Sequence, residues 1–181
     1  MDWWPVVATA LWAMLPAYVP NNAAVLTGGG PPLDFGRTWR GRRLLGDGKT
    51  WRGTVGGIAA GLAAALVLDA VVGDASAAAG VDLPDFPGLL PLALPVGALL
   101  GDAVGSFVKR RLGAERGAAA PGLDQLDFVV GALALAALAD PGWAGNVFGV
   151  PELVVVFVAT PLLHLGTNGV AYALGLKDEP W

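Results

Sequence analysis

The chain has 181 residues, 55% of them hydrophobic and only 14% charged, with a mean hydropathy of +0.60. That balance excludes an ordinary water-soluble domain, and the absence of cysteine excludes a disulfide framework and a thiolate metal site. A net charge of −4 gives no global attraction to nucleic acid, so the sidedness of the charges is the informative quantity.

Crossing a bilayer takes roughly 20 helical residues. Five apolar segments approach that length, at 3–20, 53–73, 88–108, 126–143 and 152–175. They predict an all-α, polytopic membrane protein with five transmembrane helices, forming a single domain over 1–181. The first segment lacks a basic leader and a small-residue cleavage pattern, and Trp3, Trp4 and Trp12 suit a retained interfacial anchor. A loop over 21–52 follows it and carries Arg37, Arg40, Arg42, Arg43, Lys49 and Arg52. Lys109, Arg110, Arg111 and Arg116 lie in a second loop over 109–125, so the two loops hold ten of the eleven basic residues. Lys177 follows the fifth segment, whereas the other loops carry Asp74, Asp82, Asp85, Asp140 and Glu152 with no Lys or Arg. The positive-inside rule makes both basic loops cytoplasmic, the N-terminus external and the C-terminus internal.

Gly53, Gly57 and Gly61 recur every four residues in the second segment, as do Gly97, Gly101 and Gly105 in the third. Such ridges let helix backbones approach closely in lipid, so each is expected to pack on the other or on a further helix. The first loop begins at Asn21 and Asn22, passes Gly28-Gly29-Gly30-Pro31-Pro32, and ends in Leu45-Gly46-Asp47-Gly48-Lys49-Thr50-Trp51-Arg52-Gly53. Free backbone N–H groups beside cations suit a nucleotide triphosphate, and equally an anionic lipid headgroup. Gly48-Lys49-Thr50 is not a P-loop, because Arg43 occupies the position of its first glycine and no strand precedes it.

Asp102 lies inside the third segment, about 10 Å of helix from the cytoplasmic end. A carboxylate at that depth must pair, bind a cation or line a wet cavity. Asp102, Ser106 and Lys109 follow i, i+4, i+7 spacing and form one polar stripe. Arg111 beside them reads as a basic residue snorkelling to the headgroups. Asp124 and Asp127, three apart at the start of the fourth segment, are either helix-capping residues or oxygen ligands. With Asp102 they are the carboxylates that a Mg²⁺ ion shared with substrate phosphates would use, provided that segments three and four are adjacent. His164 reads as a neutral imidazole hydrogen-bonded to another helix, and Asn168 as interhelical glue or cavity lining.

Three stretches carry a resemblance. They are Pro20-Asn21-Asn22 with Gly28-Gly29-Gly30 and Leu45 to Gly53; Gly101-Asp102 through Lys109-Arg110 to Leu123-Asp124-Gln125-Leu126-Asp127-Phe128; and Leu174-Gly175-Leu176-Lys177. Over nearly its whole length the chain resembles the CDP-archaeol synthases of archaea, a branch of the membrane cytidylyltransferases that includes bacterial CDP-diacylglycerol synthases. Where the bacterial enzymes have His-Gly-Gly, Ala120-Pro121-Gly122 stands here, which favours the archaeal branch. The resemblance implies transfer of CMP from CTP to 2,3-bis-O-(geranylgeranyl)-sn-glycerol 1-phosphate at the cytoplasmic side of the cell membrane, with release of pyrophosphate. It implies a catalytic set of Asp102, Lys109, Asp124 and Asp127, with Mg²⁺ on the three aspartates. Asn21, Asn22, Gly46, Asp47, Lys49, Thr50, Arg52, Ser106 and Arg110 would hold the nucleotide. A small transporter or channel is the alternative from another class; the lack of an inverted repeat and the one-sided polar residues speak against it. Use of phosphatidic acid is the alternative within the enzyme class.

Overall fold

The computed structural model describes residues 2–114, 120–173 and 175. The expectations for Arg116, Leu174, Leu176 and Lys177 and for the side chain of Asn168 fall outside the described residues. The described chain is mostly helical: α1 Trp3–Thr27, α2 Trp51–Ala79, α3 Leu90–Arg111, α4 Leu123–Ala139, α5 Pro141–Val147 and α6 Val150–Ala173. Between α1 and α2, β1 (Thr38–Trp39) and β2 (Arg42–Arg43) form a small antiparallel hairpin that pairs Thr38 with Arg43.

The helix ends differ from the apolar segments for local reasons. The Asp2 carboxylate caps α1 by accepting from Trp4 N (3.1 Å), and the helix runs through Pro16 and Pro20 to Thr27. Each proline removes one main-chain hydrogen bond, but a neighbouring helix supports the backbone there. Asn21 and Asn22 therefore stand on α1, a correction to their expected place in the loop. Thr50 caps α2, its hydroxyl accepting from Gly53 N (3.1 Å), and Gly80 ends the helix with φ +66°. The expected segment 126–143 is broken in two. Asp140 is extended; it ends α4 and caps α5 by accepting from Trp143 N (2.8 Å), with Pro141 in the first turn of the new helix.

Among the described residues, three helices are long and apolar enough to cross a membrane: α2, α3 and the Val150–Thr167 part of α6. The protein is a multi-pass membrane protein, and its glycine ridges set the packing. A Cβ added at Gly57 would lie 2.7 Å from Pro20 O and 3.0 Å from Leu99 Cδ1, and one at Gly61 would lie 2.8 Å from Pro16 O and 2.4 Å from Pro95 Cβ, so the α2 ridge rests on both α1 and α3. The α3 ridge rests on α4, where Cβ atoms at Gly97 and Gly101 would come within 2.5 Å of Gly131 O and 2.2 Å of Asp127 O. The α3 ridge thus packs on a further helix and the α2 ridge on both a further helix and α3, with Met14, Leu90, Leu94, Val129 and Val156 buried among them. At the acidic end, indole N–H groups tie the elements together: Trp4 donates to Ala79 O (2.9 Å), Trp12 to Pro84 O (2.9 Å) and Trp143 to Asp85 O (2.8 Å). The opposite end carries the basic loop and the site.

Candidate active site

The loop between α1 and α2 is organised by one buried carboxylate that the sequence did not single out. Asp34, only 5% exposed, accepts from Arg43 Nη2 (2.7 Å), Leu45 N (3.0 Å), Gly46 N (3.1 Å) and Gly36 N (3.0 Å). Burial pushes this carboxyl up, but the Arg43 guanidinium and the three N–H groups together hold it well below the usual carboxylate range. Because its folded value is depressed, Asp34 stabilises the loop fully above about pH 5 and progressively less as the pH falls through its ordinary value of 3.8. Asp34→Asn is expected to speed hydrogen exchange at Leu45 and Gly46 on the order of tenfold at pH 7, the effect of losing a charge-assisted hydrogen bond. The difference from wild type should shrink toward pH 3; an equal difference at both pH values would contradict this role.

Arg111 holds the same loop onto α3. It donates to Trp39 O (2.6 Å) and Arg43 O (2.6 Å), and its guanidinium lies 5.2 Å from the ring centroids of both Trp39 and Phe107. The snorkelling expected for Arg111 is therefore corrected: the loop folds back and supplies carbonyl and aromatic partners that local spacing does not reveal. Arg42 completes the clamp by donating to Arg110 O (3.3 Å) and Arg111 O (3.3 Å), carbonyls of the last turn of α3.

Clamped in this way, the loop delivers Lys49 to Asp102 in an ion pair that joins it to α3. A second ion pair joins Lys109 of α3 to Asp124 of α4. Asp124 also accepts from Ala120 N (2.7 Å), and Gly122, with φ +86°, begins α4, so Ala120-Pro121-Gly122 shapes this helix start. Asp127 Oδ2 lies against the open face of Gly105, and its carboxylate feels the charges of Asp102, Lys49 and Lys109. The α3 ridge is thus also what brings the carboxylates together. The adjacency of the third and fourth segments, which the metal reading required, is present.

Lys49, Asp102 and Asp124 border a cavity of about 440 Å³, whereas Lys109 and Asp127 stand beside them and do not line it. Gly48, Lys49, Thr50, Asp102 and Asp124 line one side, and Tyr18, Asn21, Asn22, Thr160, His164 and Thr167 line the α1 and α6 side. Leu33, Leu99, Phe128 and Leu163 add apolar wall. Asn21 Oδ1 is buried without a hydrogen-bond partner among the described residues, an acceptor that a bound ligand can satisfy.

Other expected residues do not line the cavity. Gly46 and Asp47 serve the Asp34–Arg43 cluster, Asp47 accepting from Arg43 Nη1 (2.6 Å). Arg52, beyond the Thr50 cap, lays its stem beside Gly30. Arg110 donates to Ala114 O (2.8 Å), and Ser106 is buried within α3. In the other direction, sequence reading missed Tyr18, whose hydroxyl shares a 2.8 Å hydrogen bond with Thr160, and it missed Thr160 and Thr167, which join the already noted His164 on one face of α6. Their i, i+4, i+7 spacing was the available signal.

Among the described residues no three His, Cys, Asp or Glu side chains form a metal cage. Mg²⁺ does not require one, because it commonly takes one or two carboxylates and completes its shell with water and substrate phosphates. Asp102 and Asp124 on the cavity wall, with Asp127 beside them, fit that mode chemically.

A family model described as CarS-like, CDP-archaeol synthase, matches residues 4–181. The chain belongs to the CDP-archaeol synthase family. The CDP-archaeol synthase of Halobacterium salinarum is 63% identical over the full length of both chains. That of Halorubrum lacusprofundi is 64% identical over 97% of this chain and 98% of its own. A solved structure described as an intramembrane enzyme for archaeal membrane lipids biosynthesis matches with a TM-score of 0.69 at 44% identity, covering 88% of this chain and 92% of that one. In this member of the CDP-archaeol synthase family, the cavity is built where the basic loop meets α3 and α4.

Proposed function

We propose that the chain transfers CMP from CTP to 2,3-bis-O-(geranylgeranyl)-sn-glycerol 1-phosphate, forming CDP-2,3-bis-O-(geranylgeranyl)-sn-glycerol and pyrophosphate. One observation carries this reading: a single cavity unites phosphate-binding chemistry (Gly48, Lys49, Thr50) with two carboxylates and an apolar wall inside a membrane protein. An oxygen of the lipid phosphate forms a bond to the α-phosphorus of CTP, and the bond to the bridging oxygen breaks as pyrophosphate leaves. No covalent intermediate on the protein is needed, and a doubly ionised lipid phosphate needs no base. The residues act by positioning and by charge. Lys49 and Lys109, held by aspartates in the free protein, exchange those partners for phosphate oxygens. Asp102 with Asp124 or Asp127 would hold Mg²⁺, which when bound neutralises charge on the transferred and leaving phosphates.

The same reading sets the topology. α1, α2, α3, α4 and α6 cross the membrane, α5 does not, and the basic loops with the active site face the cytoplasm. The indole contacts at the acidic end and the Arg111 clamp at the basic end support this alternation.

The test is pyrophosphate release by purified protein in detergent with CTP and Mg²⁺. The expected result is release with the geranylgeranyl diether phosphate and none without lipid. Release with phosphatidic acid alone would assign the bacterial-type substrate instead, and no release from folded protein would overturn the enzymatic reading.

A further inference from the structure

A second groove, of about 520 Å³, runs between the loop and the outer face of α3, lined mainly by Leu33, Leu44, Leu45, Leu100, Val104 and Phe107. Leu100 and Val104 are 55% and 61% exposed on a helix apolar enough to span the bilayer, so the groove opens directly to lipid. From Leu100 to Phe107 is seven residues, about 10 Å along α3, which takes the groove from hydrocarbon depth up to the basic loop. Its charged lining residues are Arg37 and Asp34. Asp34 is neutralised by Arg43, whereas the Arg37 guanidinium has no hydrogen bond or ion pair among the described residues. Arg42, Arg43 and Arg111 are all committed to holding the loop. An apolar trench continuous with the bilayer, ending at one uncommitted cation, has the chemistry of an anionic lipid with its chain below and its phosphate above.

Leu33 and Ala103 line both this groove and the cavity that holds Lys49 and Asp102. The two spaces are therefore neighbours across a wall of two side chains. We infer that the groove is a lateral binding site for the isoprenoid diether glycerol phosphate, with Arg37 on its phosphate and an isoprenoid chain along Leu100, Val104 and Phe107. This deepens the lipid-substrate reading above and rests on it.

Two variants test the site in the full-length protein. Val104→Trp fills the trench and Arg37→Gln removes the cation; Val67→Trp, at a 62% exposed position on α2, is the control. Native mass spectrometry reads retention of the geranylgeranyl diether phosphate by protein in mild detergent, and steady-state kinetics reads the KM for lipid and for CTP. Both variants are expected to reduce retention and to raise the lipid KM about tenfold with the CTP KM unchanged, the control changing neither. Unchanged retention and lipid KM in Arg37→Gln, or in a Val104→Trp protein with a wild-type size-exclusion profile, would overturn the site. If wild type releases no pyrophosphate yet retains the lipid through Arg37 and Val104, the groove stands and the proposed reaction falls. Turnover by wild type with retention indifferent to both variants removes the groove alone.

Discussion

Replacing Asp102 by asparagine is expected to leave a folded protein that has lost roughly 10²- to 10³-fold of its CTP- and lipid-dependent pyrophosphate release, about 3–4 kcal/mol of barrier. Asparagine has the same shape and keeps an oxygen that can accept from Lys49, so the packing of the loop on α3 should persist. What disappears is the negative charge, in a site where the Asp102 side chain is only 22% exposed and where charge is weakly screened. The Mg²⁺ concentration needed for half-maximal rate should also rise. Asp69 supplies the comparison, since it too is a carboxylate within an apolar helix, but it accepts from Phe86 N (2.7 Å) at the acidic end. An amide oxygen can take over that bond, so Asp69→Asn should retain activity within about twofold, as expected where a neutral acceptor suffices. Full activity in Asp102→Asn would reduce the Lys49–Asp102 pair to a packing device and remove the metal assignment.

The second large effect is structural. Gly131→Leu should prevent α3 and α4 from closing, because even a Cβ at this position would lie 2.2 Å from Gly97 O and 2.7 Å from Gly101 Cα. These are backbone atoms and cannot move aside as a flexible side chain can. Overpacking of this kind costs at least about 1–3 kcal/mol. The same closure holds Asp127 against Gly105 and Asp124 near Lys109, so activity should be abolished along with the loss of thermal stability. Gly73→Ala provides the contrast: nothing lies within 4 Å of its Cβ position, and an alanine inside α2 should be neutral or stabilising by about 0.5–1 kcal/mol. Unfolding in detergent, followed by circular dichroism, distinguishes the two. A Gly131→Leu protein with wild-type melting would mean that the α3–α4 contact is not the close approach described here.

Sequence alone determined the membrane class, because hydrophobic runs of spanning length need no partner to be recognised. It also marked the glycine ridges and the residues Lys49, Thr50, Asp102 and Asp124 on the cavity wall, since a charge at membrane depth is conspicuous wherever its partner lies. It did not reveal the partners. Gly131 is one glycine within an apolar helix until α3 is packed on it. Asp34 looks like any loop carboxylate, and Arg111 like any basic residue at a helix end, until the chain folds back over α3 and turns one into the organiser of the loop and the other into its clamp. The break at Asp140 escaped a reading by hydropathy, because a cap acts through a single hydrogen bond and Pro141 leaves the average almost unchanged. Composition and period act along the chain and can be read along it. Pairing and closure act between residues as far apart as Lys49 and Asp102, and only the packed helices decide them.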